Sequence, residues 1–118
     1  MTTTRVVKGR VMRSVTRSEL KEMLDSSDVT LVETLPRRSY DIFHLPGAIN
    51  VPLDEGFEEA IREAVPDNDQ PVVVYGLDED CDESQDAYRL MEDLGYEEVY
   101  EYTGGKVDWN EAGLPVET

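Results

Sequence analysis

The chain is poor in the residues that build disulfide frameworks and metal sites. Its 118 residues contain one cysteine, Cys81, and one histidine, His44. A single cysteine excludes an intramolecular disulfide, and one Cys with one His supplies only part of a mixed zinc site. Such sparing use of cysteine suits a reducing cytosol, so we expect a cytoplasmic protein and predict neither a metal site nor a cofactor.

Basic residues are also scarce, with 11 Lys and Arg against 27 Asp and Glu and a formal net charge of -16. A chain so repelled by phosphate lacks the Lys/Arg footprint of a nucleic-acid-binding protein, so nucleic acid is not an expected partner. Hydrophobic residues still make up 39% of the chain, which argues against disorder. An acidic, solvated surface is typical of proteins from salt-rich cytoplasm, where screening relieves self-repulsion, and we favour a halophilic source.

Long apolar runs are absent. No run approaches the roughly 20 residues that span a bilayer, and the N-terminal MTTTRVVKGR lacks the apolar core of a signal peptide. We therefore expect no membrane partner. The length suits one hydrophobic core, which predicts a single domain over residues 1–118.

Strand and helix patterns alternate along the chain. Thr16 and Glu19 form a capping box that opens a helix, and Pro66 and Gly95 are typical helix ends. An edge strand and four buried strands are predicted over Arg5–Val11, Val29–Val32, Ala48–Val51, Pro71–Tyr75 and Val99–Tyr102. This alternation predicts the α/β class, with a parallel sheet and helices on both of its faces.

Ligands of such sheets bind beyond the carboxyl ends of the strands. The loop from Gly76 to Glu83 follows the most apolar strand, and it is therefore the first place to look for chemistry.

Three stretches, read in order, resemble the rhodanese family. The first is LVETLPRRSYDIFHLPGAINVPL, from Leu31 to Leu53, with a His-hydrophobic-Pro-Gly-Ala turn. The second is VVVYGLDEDCDESQDAYRLMEDLGY, from Val72 to Tyr96, which is similar to the family's active-site strand, loop and helix. The third is VYEYTGGKVDWNEAGLPVE, from Val99 to Glu117, with a double glycine, a tryptophan and a terminal Gly-Leu-Pro.

The resemblance implies a rhodanese-like five-stranded parallel sheet with Val72–Tyr75 at its centre. It places Val73, Leu90, Leu94 and Trp109 in the core. Active members of the family hold sulfane sulfur as a persulfide on a cysteine directly after this strand, within a loop whose backbone N–H groups face the bound anion. Here that position is Gly76, which cannot carry sulfur.

Cys81 is the candidate catalytic residue, and it precedes Ser84, the predicted N-cap of the next helix. The resemblance implies a binding loop formed by Gly76, Leu77, Asp78, Glu79, Asp80, Asp82, Glu83 and Ser84. A helix N-terminus favours a thiolate, whereas the carboxylates of this loop disfavour both a thiolate and an anionic donor. High salt would weaken that repulsion.

Two functions remain open. Because Cys81 is several residues from the usual cysteine position, we favour a catalytically weak or inactive rhodanese-like domain that acts as a binding or regulatory module. The alternative is a sulfurtransferase that uses Cys81 as the persulfide carrier, with thiosulfate or another sulfane-sulfur donor. The expected partner is a sulfur donor or acceptor, either a protein or a small thiol.

Other chemistry fits the same residues less well. The spacing from Cys81 to Arg89 is too long for the phosphate loop of related phosphatases and arsenate reductases. Asp78, Asp80 and Asp82 resemble the start of a calcium loop, but an EF-hand needs Gly at the position of Glu83 and Glu at that of Arg89. We interpret the loop as a solvated acidic segment and His44 as a structural residue.

Overall fold

The computed structural model describes residues 3–7, 10–26 and 28–118. These residues form six strands and five helices. In chain order they are β1 (Thr3–Val7), β2 (Arg10–Val15), α1 (Arg17–Ser26), β3 (Thr30–Glu33), α2 (Arg37–Ile42), β4 (Ile49–Asn50), α3 (Phe57–Ala64), β5 (Val72–Tyr75), α4 (Asp82–Asp93), β6 (Val99–Tyr102) and α5 (Gly105–Glu111).

The strands form one sheet in the order β1-β2-β6-β5-β3-β4. All neighbours from β2 to β4 pair in parallel, whereas β1 pairs with β2 antiparallel. The predicted five-stranded parallel sheet with Val72–Tyr75 at its centre is therefore confirmed, and β1 adds a sixth strand at the edge.

Two predicted strands have the wrong bounds. The range Arg5–Val11 includes the end of β1 and the start of β2, because alternating residues continue through both strands. Lys8 and Gly9 lie outside the described residues. The predicted strand Ala48–Val51 is reduced to the two residues of β4, which pair with the end of β3.

The core has two layers, one on each face of the sheet. Val72 and Val74 pack with buried residues of α3 and α4, and Val73 and Tyr75 pack on the other face with Leu20 of α1 and Trp109 of α5. This division follows from the alternation of side chains along β5, where all four residues are buried.

The predicted core is correct at three of its four positions. Val73 and Trp109 are buried, and Leu94 is partly buried against the first layer. Leu90 is 43% exposed, so its predicted place in the core is wrong. The buried face of α4 belongs to Ala87, Tyr88 and Met91, because the helix presents this stripe to the sheet.

The local signals at the start of α1 and the end of α4 are confirmed. The Thr16 and Glu19 side chains each accept the other residue's backbone N–H, at 3.2 and 2.8 Å respectively, which completes the capping box of α1. Gly95 follows α4 with φ at 98°, the left-handed conformation of a helix C-terminus. Within the described ranges, the helices are too short or too polar to cross a bilayer.

Candidate functional site

The loop between β5 and α4 lies at the carboxyl edge of the sheet, where the sequence places it. Asp78 shapes this loop twice. Its carbonyl accepts the N–H of Cys81 at 3.1 Å, and its carboxylate Oδ1 accepts the N–H of Asp80 at 3.0 Å. The second contact is an Asx turn, in which a side-chain oxygen replaces a backbone acceptor.

The first turn of α5 holds the start of the loop in place. The N–H of Lys106 donates to the carbonyl of Gly76 at 3.1 Å, and the N–H of Val107 donates to that of Leu77 at 2.9 Å. Gly105 has φ at 65°, and a Cβ on it would lie 2.6 Å from the Gly76 oxygen. Only glycine allows this approach of two backbones.

The Cys81 thiol fills the space that a side chain at position 76 would occupy. A Cβ built on Gly76 would lie 2.1 Å from Cys81 Sγ and 3.1 Å from Cys81 Cβ. The first distance is about the length of a covalent bond between sulfur atoms. The loop turns back and returns Cys81 to the end of β5, so the separation of Cys81 from Gly76 in the sequence does not keep the thiol away from Gly76 in space.

Ser84 has a different role from the predicted one. Cys81 is the N-cap residue of α4, and Ser84 lies within the first turn of the helix. The buried Ser84 hydroxyl donates to Oε2 of buried Glu101 at 2.8 Å. Ser84 Oγ also lies 3.6 Å from the Cβ position at Gly76, so this polar pair borders the thiol.

One carboxylate contacts the thiol, and other acidic residues of the loop face solvent. The thiol donates to Glu83 Oε1 across 3.7 Å. Glu79, Asp80 and Asp82 are exposed to solvent, as is Leu77, whose side chain is 47% exposed. A cavity of about 230 Å³ lies between part of the loop and α5. It is lined by Asp78, Glu79, Gly104, Val107, Asp108 and Glu111.

A buried ion pair supports the loop from below. Lys106 Nζ lies 2.9 Å from Glu33 Oε2, and the Tyr75 hydroxyl donates to Glu33 Oε1 at 2.7 Å. Burial raises the pKa of Tyr75 well above its usual range, and the negative charge of Glu33 adds to this effect. Lys106 also donates to the Ser39 carbonyl at 2.6 Å. The network therefore connects β3, β5, α2 and α5.

Sequence reasoning did not single out this network. A lysine in a short amphipathic helix usually lies at the surface, and a glutamate at the end of a strand carries no local sign of burial. The available signal was that Glu33 directly follows the predicted buried strand Val29–Val32, at the edge where sites form.

His44 and Arg89 lie in other surroundings. The His44 ring stacks on Tyr40 with the centroids 3.7 Å apart, and its Nδ1 is 2.9 Å from the Tyr40 carbonyl. Its backbone pairs with Glu117. Arg89 forms an ion pair with Asp86 on the same helix. Across the described part of the chain, no three His, Cys, Asp or Glu side chains are grouped as metal ligands.

The sequence profile of the rhodanese-like domain family matches residues 16–112, which include every element from α1 to α5. The chain belongs to the rhodanese-like domain family. Solved rhodanese-like structures agree with this fold. The Alr3790 protein of Anabaena sp. superposes with a TM-score of 0.77 at 25% identity, covering 87% of this chain and 79% of that protein. An E. coli rhodanese, described with anions, superposes with a TM-score of 0.63 at 31% identity. The match covers 76% of this chain and 98% of that protein.

The relatives of this rhodanese-like domain include a protein named as a regulator and proteins named as sulfurtransferases. The HTH-type transcriptional regulator Rv0324 of Mycobacterium tuberculosis is 36% identical over 94% of this chain, which spans only 47% of that regulator. Thiosulfate sulfurtransferase GlpE of Shewanella oneidensis is 30% identical over 80% of this chain and 89% of the enzyme. The adenylyltransferase and sulfurtransferase UBA4 of Candida albicans is 34% identical, and the match covers 19% of it.

Proposed function

We propose that this rhodanese-like domain carries sulfur as a persulfide on Cys81. The observation that carries the proposal is the 2.1 Å between Cys81 Sγ and the Cβ position of Gly76. The glycine leaves the space free and the cysteine fills it, so one steric relation accounts for both departures from the family pattern. The thiosulfate sulfurtransferase among its relatives supports the same chemistry.

The transfer needs no oxidant. The Cys81 thiolate attacks the outer sulfur of a donor persulfide, R–S–SH, and forms a new S–S bond. The S–S bond of the donor breaks, and the donor leaves as the thiolate R–S⁻. With thiosulfate the same attack releases sulfite and leaves the persulfide anion. A thiolate acceptor then attacks the outer sulfur of the Cys81 persulfide, and the Cys81 thiolate is regenerated.

Sulfur loading tests the proposal directly. The folded domain is incubated with cysteine persulfide and examined by intact-mass spectrometry, with Cys81→Ser as the matched variant. We expect a gain of one sulfur atom on the wild type, removed by dithiothreitol, and no gain on Cys81→Ser. Because the chain contains one cysteine, the modified residue is known without peptide mapping.

A regulatory module without turnover is the second candidate. The similarity to an HTH-type transcriptional regulator over 94% of this chain favours it, since the domain would then act on a partner. A folded wild type that gains no sulfur from cysteine persulfide or from thiosulfate would overturn the carrier proposal and support this candidate.

A further inference from the structure

The Cys81 thiol contacts the side chain of Glu83 directly. Its Oε1 lies 3.7 Å from Sγ, in the first turn of α4, and the side chain is half-buried. A donor that delivers sulfur to Cys81 must bring its reactive atoms within a similar distance of this carboxylate. At about 4 Å, the interaction between two charges is large when water is partly excluded.

Two basic side chains near the loop are neutralised within the protein. Lys106 is buried and pairs with Glu33, and Arg17 pairs with Asp108 at 2.9 Å. The loop N–H of Asp80 is occupied by a carboxylate of the chain itself, that of Asp78. An anionic donor approaching the thiol would therefore meet Glu83 without a compensating cation from these two pairs.

We propose that Glu83 determines the specificity of Cys81, disfavouring anionic sulfur donors and favouring donors with positive charge beside the transferable sulfur. This inference rests on the proposed role of Cys81 as the sulfur carrier. A small aminothiol persulfide and a persulfide on a basic protein surface share the required chemistry. Thiosulfate, with its two negative charges, is a poor donor on the same grounds.

Methanethiosulfonate reagents measure the selectivity of the thiol without any sulfur-carrier chemistry. The Cys81 thiolate attacks their sulfenyl sulfur, a mixed disulfide forms and methanesulfinate leaves with the electron pair of the broken S–S bond. Ethyl, trimethylammonioethyl and sulfonatoethyl reagents transfer a neutral, a cationic and an anionic group. Dividing each rate by that of the neutral reagent removes differences in thiol exposure and thiolate fraction.

We expect the cationic reagent to react at least about tenfold faster than the anionic one at low salt. This ratio should shrink between roughly 0.1 M and 1 M KCl, as the Debye length falls from about 10 to about 3 Å. Glu83→Gln should reduce the ratio several-fold, and Glu83→Asp should retain most of it. A wild-type ratio near one, or a ratio that Glu83→Gln leaves unchanged, would overturn the proposal.

Two control variants separate the contact from the general charge of the protein. Asp69→Asn removes one exposed charge at the opposite end of β5 and should leave the ratio unchanged. Asp82→Asn removes an exposed charge beside Glu83 in the chain and should have a smaller effect than Glu83→Gln. An equal effect of all three substitutions would assign the selectivity to net charge and contradict a specific role for Glu83.

Sulfur loading then compares the possible sources. Cysteamine persulfide represents the small aminothiol, and a lysine-flanked cysteine persulfide peptide represents the basic protein surface. Loading of wild type by either one faster than by thiosulfate supports the proposal, and the faster of the two identifies the source. Loading by thiosulfate at an equal or greater rate overturns it. Failure of all three donors, with reagent selectivity intact, would instead count against Cys81 as carrier.

Discussion

At the scale of single residues, the site depends on the steric relation between Gly76 and the side chain of Cys81. The φ angle of Gly76 is not positive, so its backbone conformation does not require glycine. The nearest atom to a Cβ built on it is Cys81 Sγ at 2.1 Å, whereas Ser84 Oγ lies at 3.6 Å. We infer that Gly76 is glycine because the sulfur of Cys81 needs the space.

The first prediction follows from this steric relation. Gly76→Ala places a methyl group where Cys81 Sγ now lies, so the thiol must move by more than 1 Å. We expect sulfur loading of Cys81 to fall by about a hundredfold, because misplacement on this scale costs that much in a positioned reaction. Intact-mass spectrometry over a time course measures the loss, and circular dichroism confirms that the variant folds.

Gly56→Ala is the matched control for this substitution. A Cβ on Gly56 would have an ordinary contact of 3.5 Å with Asp54 and its φ is not positive, so the variant should load sulfur at the wild-type rate. Normal loading of Gly76→Ala would show that the position of the thiol is not what matters for the reaction.

At the scale of secondary-structure elements, β3 and α5 are joined by a buried ion pair. Lys106 bonds the loop through its backbone N–H and pairs with Glu33 of β3 through its side chain, whose exposure is 3%. A buried pair of this kind contributes little net stability compared with apolar residues, but removing one partner leaves an uncompensated buried charge.

Lys106→Met should therefore lower the free energy of unfolding by about 3–5 kcal/mol. The double variant Glu33→Gln with Lys106→Met should lose less than the sum of the two single variants, because it buries no unpaired charge. Denaturant unfolding measures all three.

Arg62→Met is the matched control, because it breaks a surface pair in which the Arg62 side chain is 49% exposed and the Glu58 side chain 67%. This substitution should lower the free energy of unfolding by less than about 1 kcal/mol. Additive losses in the double variant would argue against the ion pair as the cause.

At the scale of the whole molecule, the dominant feature is the net charge of -16. Ion pairs such as Arg17 with Asp108 and Arg37 with Asp41 neutralise part of the acidic surface, but 27 acids exceed 11 bases. The remaining like charges repel each other more strongly in the compact folded state than in the unfolded chain.

Stability should therefore rise as salt screens this repulsion. We expect the thermal midpoint to increase from low salt towards about 1 M KCl, where the Debye length is about 3 Å. Calorimetry at several KCl concentrations measures the trend. A flat or falling midpoint would remove the support for a halophilic source.

The sequence by itself determined the features that depend on neighbouring residues. The capping box of α1, the glycine that ends α4 and the buried strand β5 follow from contacts within a few positions, where spacing and side-chain type suffice. The order of the three family motifs extended this local information to the class of the fold and to the loop that holds the site.

Only the tertiary structure decided where the thiol lies and which charges are neutralised. The loop turns back because Asp78 closes it and α5, about thirty residues later, holds its first carbonyls. These hydrogen bonds cannot be predicted from the separation of Gly76 and Cys81 in the sequence. Burial of Lys106 beside Glu33 likewise depends on packing between distant elements, because a charge becomes internal only when its partner and its surroundings are brought together.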